Sequence, residues 1–175
     1  MEWTYKLIGM GLVVFATTGY GIVLGRDIKH RLKELKELKK IFFLLKGEIC
    51  FGHSPILEAL ETVSRRCSNP FKIILQEFVV YGKECEKKPF SEIWQDGMKV
   101  QMEKTHLSKD ERQRFINLGN ELGLSDLNTQ QNAIDNFNME LEVCICELEK
   151  IVPGKVKLYN SMGILLGLVI AIIMI

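Results

Sequence analysis

The sequence predicts an all-α protein: an antiparallel six-helix bundle flanked by an N-terminal and a C-terminal transmembrane helix. Two runs near the chain ends, Leu7–Gly25 and Leu158–Ile175, contain no charged side chain. Between them, apolar residues recur at intervals of three and four, and no alternating stretch typical of strands occurs. Short connections between helices favour antiparallel neighbours. We therefore divide the chain into an N-terminal membrane helix at 1–25, a cytoplasmic helical bundle at 26–154 and a C-terminal membrane helix at 155–175.

The two uncharged runs have the length of a membrane span. At the helical rise each gives roughly 27–28 Å, close to the roughly 30 Å hydrocarbon core of a bilayer. A secretory signal peptide is one alternative for the first run. Against it, the run lacks a small-residue cleavage site before the charges resume, and only Lys6 supplies basic character in front of it. A buried core helix is the other alternative.

Each predicted span contains two glycines four residues apart. Gly21 and Gly25 form the pair in the first span, and Gly163 and Gly167 form the pair in the second. Small residues at this spacing let two helix backbones approach closely in lipid, so all four glycines are candidate helix-packing positions in the membrane. The alternative is that glycine is simply common in membrane helices.

Basic residues at the inner ends of both spans predict the orientation. Beyond the outer ends there is only Lys6, whereas eight basic residues follow the first span and three precede the second: Arg26, Lys29, Arg31, Lys33, Lys36, Lys39, Lys40, Lys46, and then Lys150, Lys155, Lys157. The positive-inside bias predicts a two-pass membrane protein with a cytoplasmic bundle and both termini on the opposite side. The odd number of cysteines, five, agrees with reduced thiols in the cytoplasm.

The first helix of the bundle is predicted from about Asp27 to Phe51, and it is open whether it continues directly out of the membrane. One apolar stripe follows its length: Ile28, Leu32, Leu35, Leu38, Phe42, Leu45 and Ile49. Lys33, Lys36 and Lys40 lie on the opposite face and are a candidate surface for a partner or for anionic lipid headgroups. The alternative is a solvated face whose charge acidic neighbours dilute: Asp27, Glu34 and Glu37.

The stretch GHSPILEALETVS, Gly52–Ser64, predicts a short second helix entered through a glycine-containing turn. Ser54 is expected to cap the helix, with Pro55 at its first position. Asn69 and Pro70 repeat this start signal for a third helix that runs to about Glu86.

A break at Lys88–Ser91 precedes a fourth helix, which fades around Lys104. Phe90 and Trp94 lie four residues apart on it, and either pack in the core or anchor a partner. Ser108 and Glu111 predict a capping box at the start of the fifth helix.

Gly123 is expected to end the fifth helix in a left-handed C-cap. The sixth helix begins near Ser125 or Asp126, and Pro153–Gly154 is expected to interrupt it before the second span. Its apolar stripe is formed by Leu127, Ile134, Phe137, Leu141, Ile145, Leu148 and Val152.

The sequence presents no catalytic, cofactor or metal site. Cys144 and Cys146 lie about 200° apart around a helix and cannot bind one metal together while the helix is intact. The histidines are dispersed at positions 30, 53 and 106 and form no zinc motif, and there is no phosphate-binding glycine loop. The nearly balanced net charge of +1 argues against nucleic acid as a partner, and no small-molecule substrate is indicated.

Three stretches resemble the cytoplasmic domain of the type II secretion inner-membrane platform proteins. GHSPILEALETVS resembles that family's G-x-P-L-x-x-A-L-x-x-L entry, and KPFSEIWQDGM (Lys88–Met98) occupies the place of its S-L-S-E-A-L segment. NLGNELGLSDL (Asn117–Leu127) resembles its G-E-x-S-G-x-L stretch, with related residues at Gly119, Glu121, Gly123 and Leu127. The platform proteins have two such domains and further spans. A single domain between two spans instead resembles the stage III sporulation AB family of endospore-forming bacteria.

This resemblance implies a non-enzymatic platform subunit of a secretion-like sporulation channel between mother cell and forespore. It implies a position in the outer forespore membrane with the bundle facing the mother cell, in contact with membrane lipids. The implied partners are a secretion-type ATPase and the other membrane subunits of the channel. A membrane-tethered regulatory adaptor that recruits a cytoplasmic partner is the alternative. A small catalytic membrane protein is a third candidate, against which the missing site argues.

Overall fold

The computed structural model describes residues 2–52, 54–85, 87–124 and 126–173. Within these ranges all regular secondary structure is helical, which confirms the all-α class. The helices are α1 Glu2–Cys50, α2 Ile56–Ser64, α3 Phe71–Glu84, α4 Phe90–Gln101, a 3₁₀ helix Met102–Lys104, α5 Lys109–Leu122 and α6 Leu127–Ile173. Four positions named in the sequence analysis lie outside the described residues: His53, Glu86, Ser125 and Ile175.

The chain forms two compact units. Met1–Leu32 and Glu147–Ile175 form the terminal unit, and Lys33–Cys146 forms the central unit. Helices α1 and α6 each contribute residues to both units. These units are defined by packing within the protein alone. The ends of the membrane spans, expected near Gly25 and Lys155, therefore stay predictions.

Both long helices, α1 and α6, are continuous. The sequence left open whether α1 is continuous and predicted a break in α6. Helix α1 runs from Glu2 to Cys50, so the predicted first bundle helix continues directly from the first uncharged run. The interruption expected at Pro153–Gly154 is wrong, because α6 extends through Pro153 to Ile173. A proline removes one backbone hydrogen bond of a helix, and the many turns on either side of Pro153 keep theirs.

The core of the central unit begins with the apolar stripe of α1, which is confirmed from Leu35 to Ile49. Five of the predicted residues are at most 2% exposed: Leu35, Leu38, Phe42, Leu45 and Ile49. Phe42 packs edge-on against Phe137 of α6, with ring centroids 4.9 Å apart, and against Phe115 of α5 at 5.8 Å. Phe42 of α1 thus packs against both α5 and α6.

Trp94 of α4 is fully buried, which confirms its interpretation as a core residue. Its indole Nε1 donates a hydrogen bond to the carbonyl oxygen of Phe115 at 3.1 Å, and its ring meets Phe78 edge-on at 5.2 Å. Gly119 of α5 lies directly beneath the indole, where a Cβ would overlap Trp94. Helices α4 and α5 therefore approach more closely than any residue with a side chain at position 119 permits.

Two of the predicted helix starts are confirmed. Ser108 and Glu111 form the capping box: the Glu111 amide donates to the Ser108 hydroxyl at 3.3 Å, and the Ser108 amide donates to the Glu111 carboxylate at 2.7 Å. Asp126 caps α6 by accepting from the backbone amide and the hydroxyl of Thr129 at 2.9 and 2.6 Å.

Three other predictions about helix ends are wrong. Ser54 does not cap α2, because its hydroxyl turns back to the carbonyl oxygen of Gly52 and Pro55 takes the cap position without a side-chain bond. Asn69 does not cap α3, whose cap position is Pro70. Gly123 ends α5 with a φ of −78°, not in the left-handed region. A Cβ there would lie 3.1 Å from the amide nitrogen of Ser91, so close approach to α4 accounts for this glycine.

We predict that Gly119→Ala lowers the free energy of unfolding by about 1–3 kcal/mol, because the added methyl group displaces Trp94 and strains its hydrogen bond to Phe115. Urea unfolding of the full chain in mild detergent, followed by circular dichroism, measures it. Gly47→Ala is the matched control: a Cβ there meets no atom within 4 Å, and removing a helical glycine stabilises by about 0.5–1 kcal/mol. Equal stability of the two variants would show that α4 and α5 tolerate a side chain at their contact.

Candidate interaction surfaces

In the terminal unit, three of the four candidate glycines lie where α1 and α6 come closest. A Cβ at Gly21 would lie 2.5 Å from the carbonyl oxygen of Tyr159, and the Cα of Gly163 is 3.4 Å away. A Cβ at Gly163 would lie 2.7 Å from the carbonyl oxygen of Thr17. At these two positions the backbones approach to a separation that only glycine permits.

Gly167 and Gly25 flank this contact, and they differ in how closely the facing helix approaches them. A Cβ at Gly167 would lie 2.9 Å from the Cα of Val14, again closer than a side chain allows. At Gly25 the nearest atom would be a methyl carbon of Val156 at 3.5 Å, an ordinary van der Waals distance. Beside the glycines lies an apolar groove of about 410 Å³, lined among others by Tyr20, Leu24, Met162 and Leu166.

Helix α6 is the one helix in the described part of the chain that length and composition qualify to cross a membrane. Its most apolar 18-residue window has a mean hydropathy of 1.9, and 11% of that window is buried. The apolar surface of this segment is therefore largely uncovered by protein. The first predicted span begins at Leu7, whose side chain lies outside the described residues, and it stays a prediction.

In the central unit, Lys33, Lys36 and Lys40 are all exposed on α1. The ammonium group of Lys40 donates to the carbonyl oxygen of Arg66 at 3.1 Å and lies 3.3 Å from the carboxylate of Glu37. Glu37 in turn accepts from the amide of Ser68 at 2.7 Å. Part of the basic face thus fastens α1 to the turn between α2 and α3.

Two ion pairs that the sequence analysis missed cross from α1 to α6. Lys39 pairs with Glu142, and Lys46 pairs with Asp135 at 2.5 Å. The partner moves back along α6 as the lysine moves forward along α1, which is the register of an antiparallel pair. All four side chains are at least one-third exposed, so each pair contributes about 0–1 kcal/mol and chiefly marks the register.

Two large apolar side chains lie exposed at the level between these ion pairs. Phe43 of α1 is 73% exposed, and Met139 of α6 is 61% exposed. Phe43 follows Lys39 by four residues and precedes Lys46 by three, so it adjoins both on the helix surface. Phe43 was not predicted from the sequence as a surface residue, although a helical projection places it off the apolar stripe and among the lysines.

Glu34 does not dilute the basic face as the sequence suggested, because it is buried and only 6% exposed. Its carboxylate accepts from the backbone amide of His106 at 2.8 Å and so holds the loop before α5 against α1. Only the fold reveals this role, since the two residues lie 72 positions apart.

The central unit has a polar cleft of about 250 Å³ between α5 and α6. Arg114, Asn117, Asn136 and Glu140 line it, among others, and the guanidinium of Arg114 lies 3.8 Å from the carboxylate of Glu140. The cleft is open and its charged groups are half-exposed, so it resembles a solvated surface groove more than a binding pocket.

No group of three His, Cys, Asp or Glu side chains close enough to hold a metal ion occurs among the described residues. All five cysteines lie among the described residues and none forms a disulfide; Cys144 is half-buried and Cys146 is exposed. Burial of Cys67 raises the pKa of its thiol to about 11, with Glu37 adding to the shift. The Cys67 thiol is therefore protonated at neutral pH and unreactive.

Comparison with known proteins links this helical structure to sporulation. The sequence model of the family described as Stage III sporulation protein AB matches residues 6–175. Stage III sporulation protein AB of Bacillus subtilis (strain 168) is 25% identical over 171 residues, which cover 97% of this chain and 98% of the relative. A solved structure of stage III sporulation protein AB aligns over 70% of this chain and 96% of its own, with a TM-score of 0.64. At 21% identity that structure supports the fold alone.

We predict that Gly163→Val separates α1 from α6 in the terminal unit, because its side chain would overlap the Thr17 carbonyl. The measurement is copper-catalysed disulfide formation between cysteines introduced at Leu24 and Tyr159, in a full-length chain whose native cysteines are serines. Gly163→Val should reduce the cross-linked fraction severalfold. Gly11→Val is the control, since a Cβ at Gly11 meets no atom within 4 Å. Equal cross-linking in both variants would contradict the close contact.

Proposed function

The chain belongs to the stage III sporulation protein AB family, and on that basis we propose that it is a non-enzymatic platform subunit of a secretion-like sporulation channel. The channel would connect mother cell and forespore. In this proposal the subunit lies in the outer forespore membrane and links a secretion-type ATPase in the mother-cell cytoplasm to the other membrane subunits. Its chemistry is binding through surfaces.

The observation that carries the proposal is the composition of α6. One continuous helix begins with residues that pack in the core of the central unit, such as Ile134 and Phe137, and ends in an apolar segment whose surface is largely uncovered. A helix with this division suits a protein that is anchored in lipid at one end and presents a folded domain at the other.

The proposed architecture is a six-helix antiparallel bundle between two membrane spans. The bundle faces the cytoplasm, and both termini lie across the membrane, as the lysine and arginine bias indicates. Gly21, Gly163 and Gly167 would hold the two spans together, with Gly25 at the edge of the contact. Lys33, Lys36 and Lys40 would meet a partner or the lipid headgroups.

We predict from this topology that Cys146 is labelled only from the cytoplasmic side. Right-side-out membrane vesicles from cells producing single-cysteine chains are treated with a charged maleimide before and after permeabilisation. Cys146, which is exposed, should react only after permeabilisation, whereas a cysteine introduced at Thr4 should react before it. Cys67 should stay slow in both conditions at neutral pH because of its burial and raised pKa. Labelling of Cys146 in sealed vesicles would refute the orientation.

We predict that reversing the basic face, with Lys33→Glu, Lys36→Glu and Lys40→Glu together, weakens recovery of the ATPase with the tagged chain from sporulating cells. We expect a decrease of at least tenfold, which corresponds to a loss of at least about 1.4 kcal/mol of binding free energy. The triple Lys87→Glu, Lys99→Glu and Lys109→Glu is the control, since it changes the charge equally at exposed positions elsewhere.

Neither triple variant should alter the insertion of the protein into the membrane or the amount of protein produced in cells that are not sporulating. Failure of the unmodified chain to recover the ATPase or any membrane subunit would count against the platform function. Recovery of one soluble regulatory protein instead would favour the adaptor.

A further inference from the structure

We propose that one face of α1 is a docking site for an acidic helical segment of a partner protein, with Phe43 as its anchor. This α1 outer face consists of Lys33, Lys36, Lys40, Phe43 and Gly47. Lys36, Lys40, Phe43 and Gly47 follow one another at intervals of four, three and four residues, so they form one stripe along the helix. The inference deepens the proposed function, on which it rests for the cytoplasmic location of the partner.

Phe43 has the exposure of a binding anchor and not of a core residue. Its neighbour Phe42 is 1% exposed within the aromatic cluster, whereas Phe43 is 73% exposed. Exposed aromatic side chains surrounded by polar groups are typical of the few residues that dominate interface energies. The residues one turn away from Phe43 are Lys39, Lys40 and Lys46, together with Gly47.

Gly47 gives an independent indication. Glycine destabilises a helix interior relative to alanine, and most glycines in the helices of the central unit have a packing reason. Gly82, Gly97 and Gly119 each have one: a Cβ there would approach Leu57, Phe78 or Trp94 more closely than 3 Å. A Cβ at Gly47 would meet no atom within 4 Å. Gly11, Gly19 and Gly154 have the same open space, but they belong to the terminal unit, so among the glycines of the central unit this feature distinguishes Gly47. The absence of a side chain there lets a second helix lie close to α1 beside Phe43.

The charge pattern specifies an acidic protein and disfavours a lipid surface. Lys33 and Lys36 are exposed on the N-terminal side of Phe43 and Gly47, and Lys40 is exposed beside them although it also contacts Glu37. Lysines at this spacing suit carboxylates at one-turn intervals on a partner helix. Lipid recognition depends on a concentrated basic cluster of about four to eight residues. Here acidic side chains of the same unit bound the basic surface, with Glu37 at Lys40, Glu142 at Lys39 and Asp135 at Lys46, so the surface is a narrow stripe that suits one helix better than a lipid layer.

The test uses the full chain in sporulating cells with the photoreactive residue p-benzoylphenylalanine at position 43. The same residue at Val80, which is 60% exposed on α3, is the control. We expect a cross-link from position 43 to one protein, attached beside a cluster of Asp or Glu, and none of that product from position 80. Mass spectrometry identifies the attached peptide.

Variants at Gly47 and at the three lysines decide whether the cross-link reports the proposed geometry. Gly47→Leu should reduce the yield at least fivefold, while Gln76→Leu, at an exposed position of α3, should leave it unchanged. The melting temperature of the Gly47→Leu chain in detergent should not fall, since position 47 faces open space. Reversal of the three lysines to Glu should abolish the product, and Lys in place of the partner's carboxylates should restore it.

The inference is overturned by cross-links to lipid alone, by cross-links to a second copy of this chain alone, or by no product. A product that persists in the Gly47→Leu chain overturns it as well. The identity of the attached protein tests the platform function separately. If it is neither the ATPase nor a channel subunit, the platform function fails while the docking surface stands.

Discussion

The packing of Trp94 on Gly119 is the contact on which the central unit depends. Because position 119 has no side chain, the indole of α4 can lie on the backbone of α5 and donate to the Phe115 carbonyl at 3.1 Å. Phe115 then meets Phe42 of α1, and Phe42 meets Phe137 of α6. A single close approach between two short helices therefore aligns the aromatic side chains that connect both long helices.

Much of this fold could be predicted from the sequence because helix-forming patterns are local. The stripe from Leu35 to Ile49 and the capping box at Ser108 depend on residues within one or two turns, and both are confirmed. The errors occurred where a local signal competed with a tertiary contact. Gly123 has the sequence of a left-handed cap, but the proximity of Ser91 accounts for it, and the Pro153 break is absent because long helical segments lie on both sides.

The candidate surfaces were harder to predict, for a different physical reason. Four glycines at the right spacing do not reveal which of them touch a second backbone. Gly21 faces the carbonyl oxygen of Tyr159, whereas the nearest atom to a Cβ at Gly25 is a side-chain methyl carbon of Val156. Similarly, Glu34 and Glu37 look alike in the sequence, yet one is buried against the His106 amide and the other accepts from Ser68 at the surface. Burial and partner identity arise from contacts between distant residues, which composition and periodicity do not encode.

The division of stability between interior and surface explains how such a protein can specialise in binding. Buried aromatic and aliphatic side chains each contribute about 1.5–3 kcal/mol on burial, whereas exposed ion pairs such as Lys46–Asp135 contribute about 0–1 kcal/mol. Lys40 on the outer face of α1 also holds the turn between α2 and α3, but the exposed Phe43 and Gly47 contribute little to the stability of the unit. Substitutions at Phe43 or Gly47 can change recognition without unfolding the core, so an exposed aromatic residue and a helical glycine that internal packing does not require are informative features of this surface.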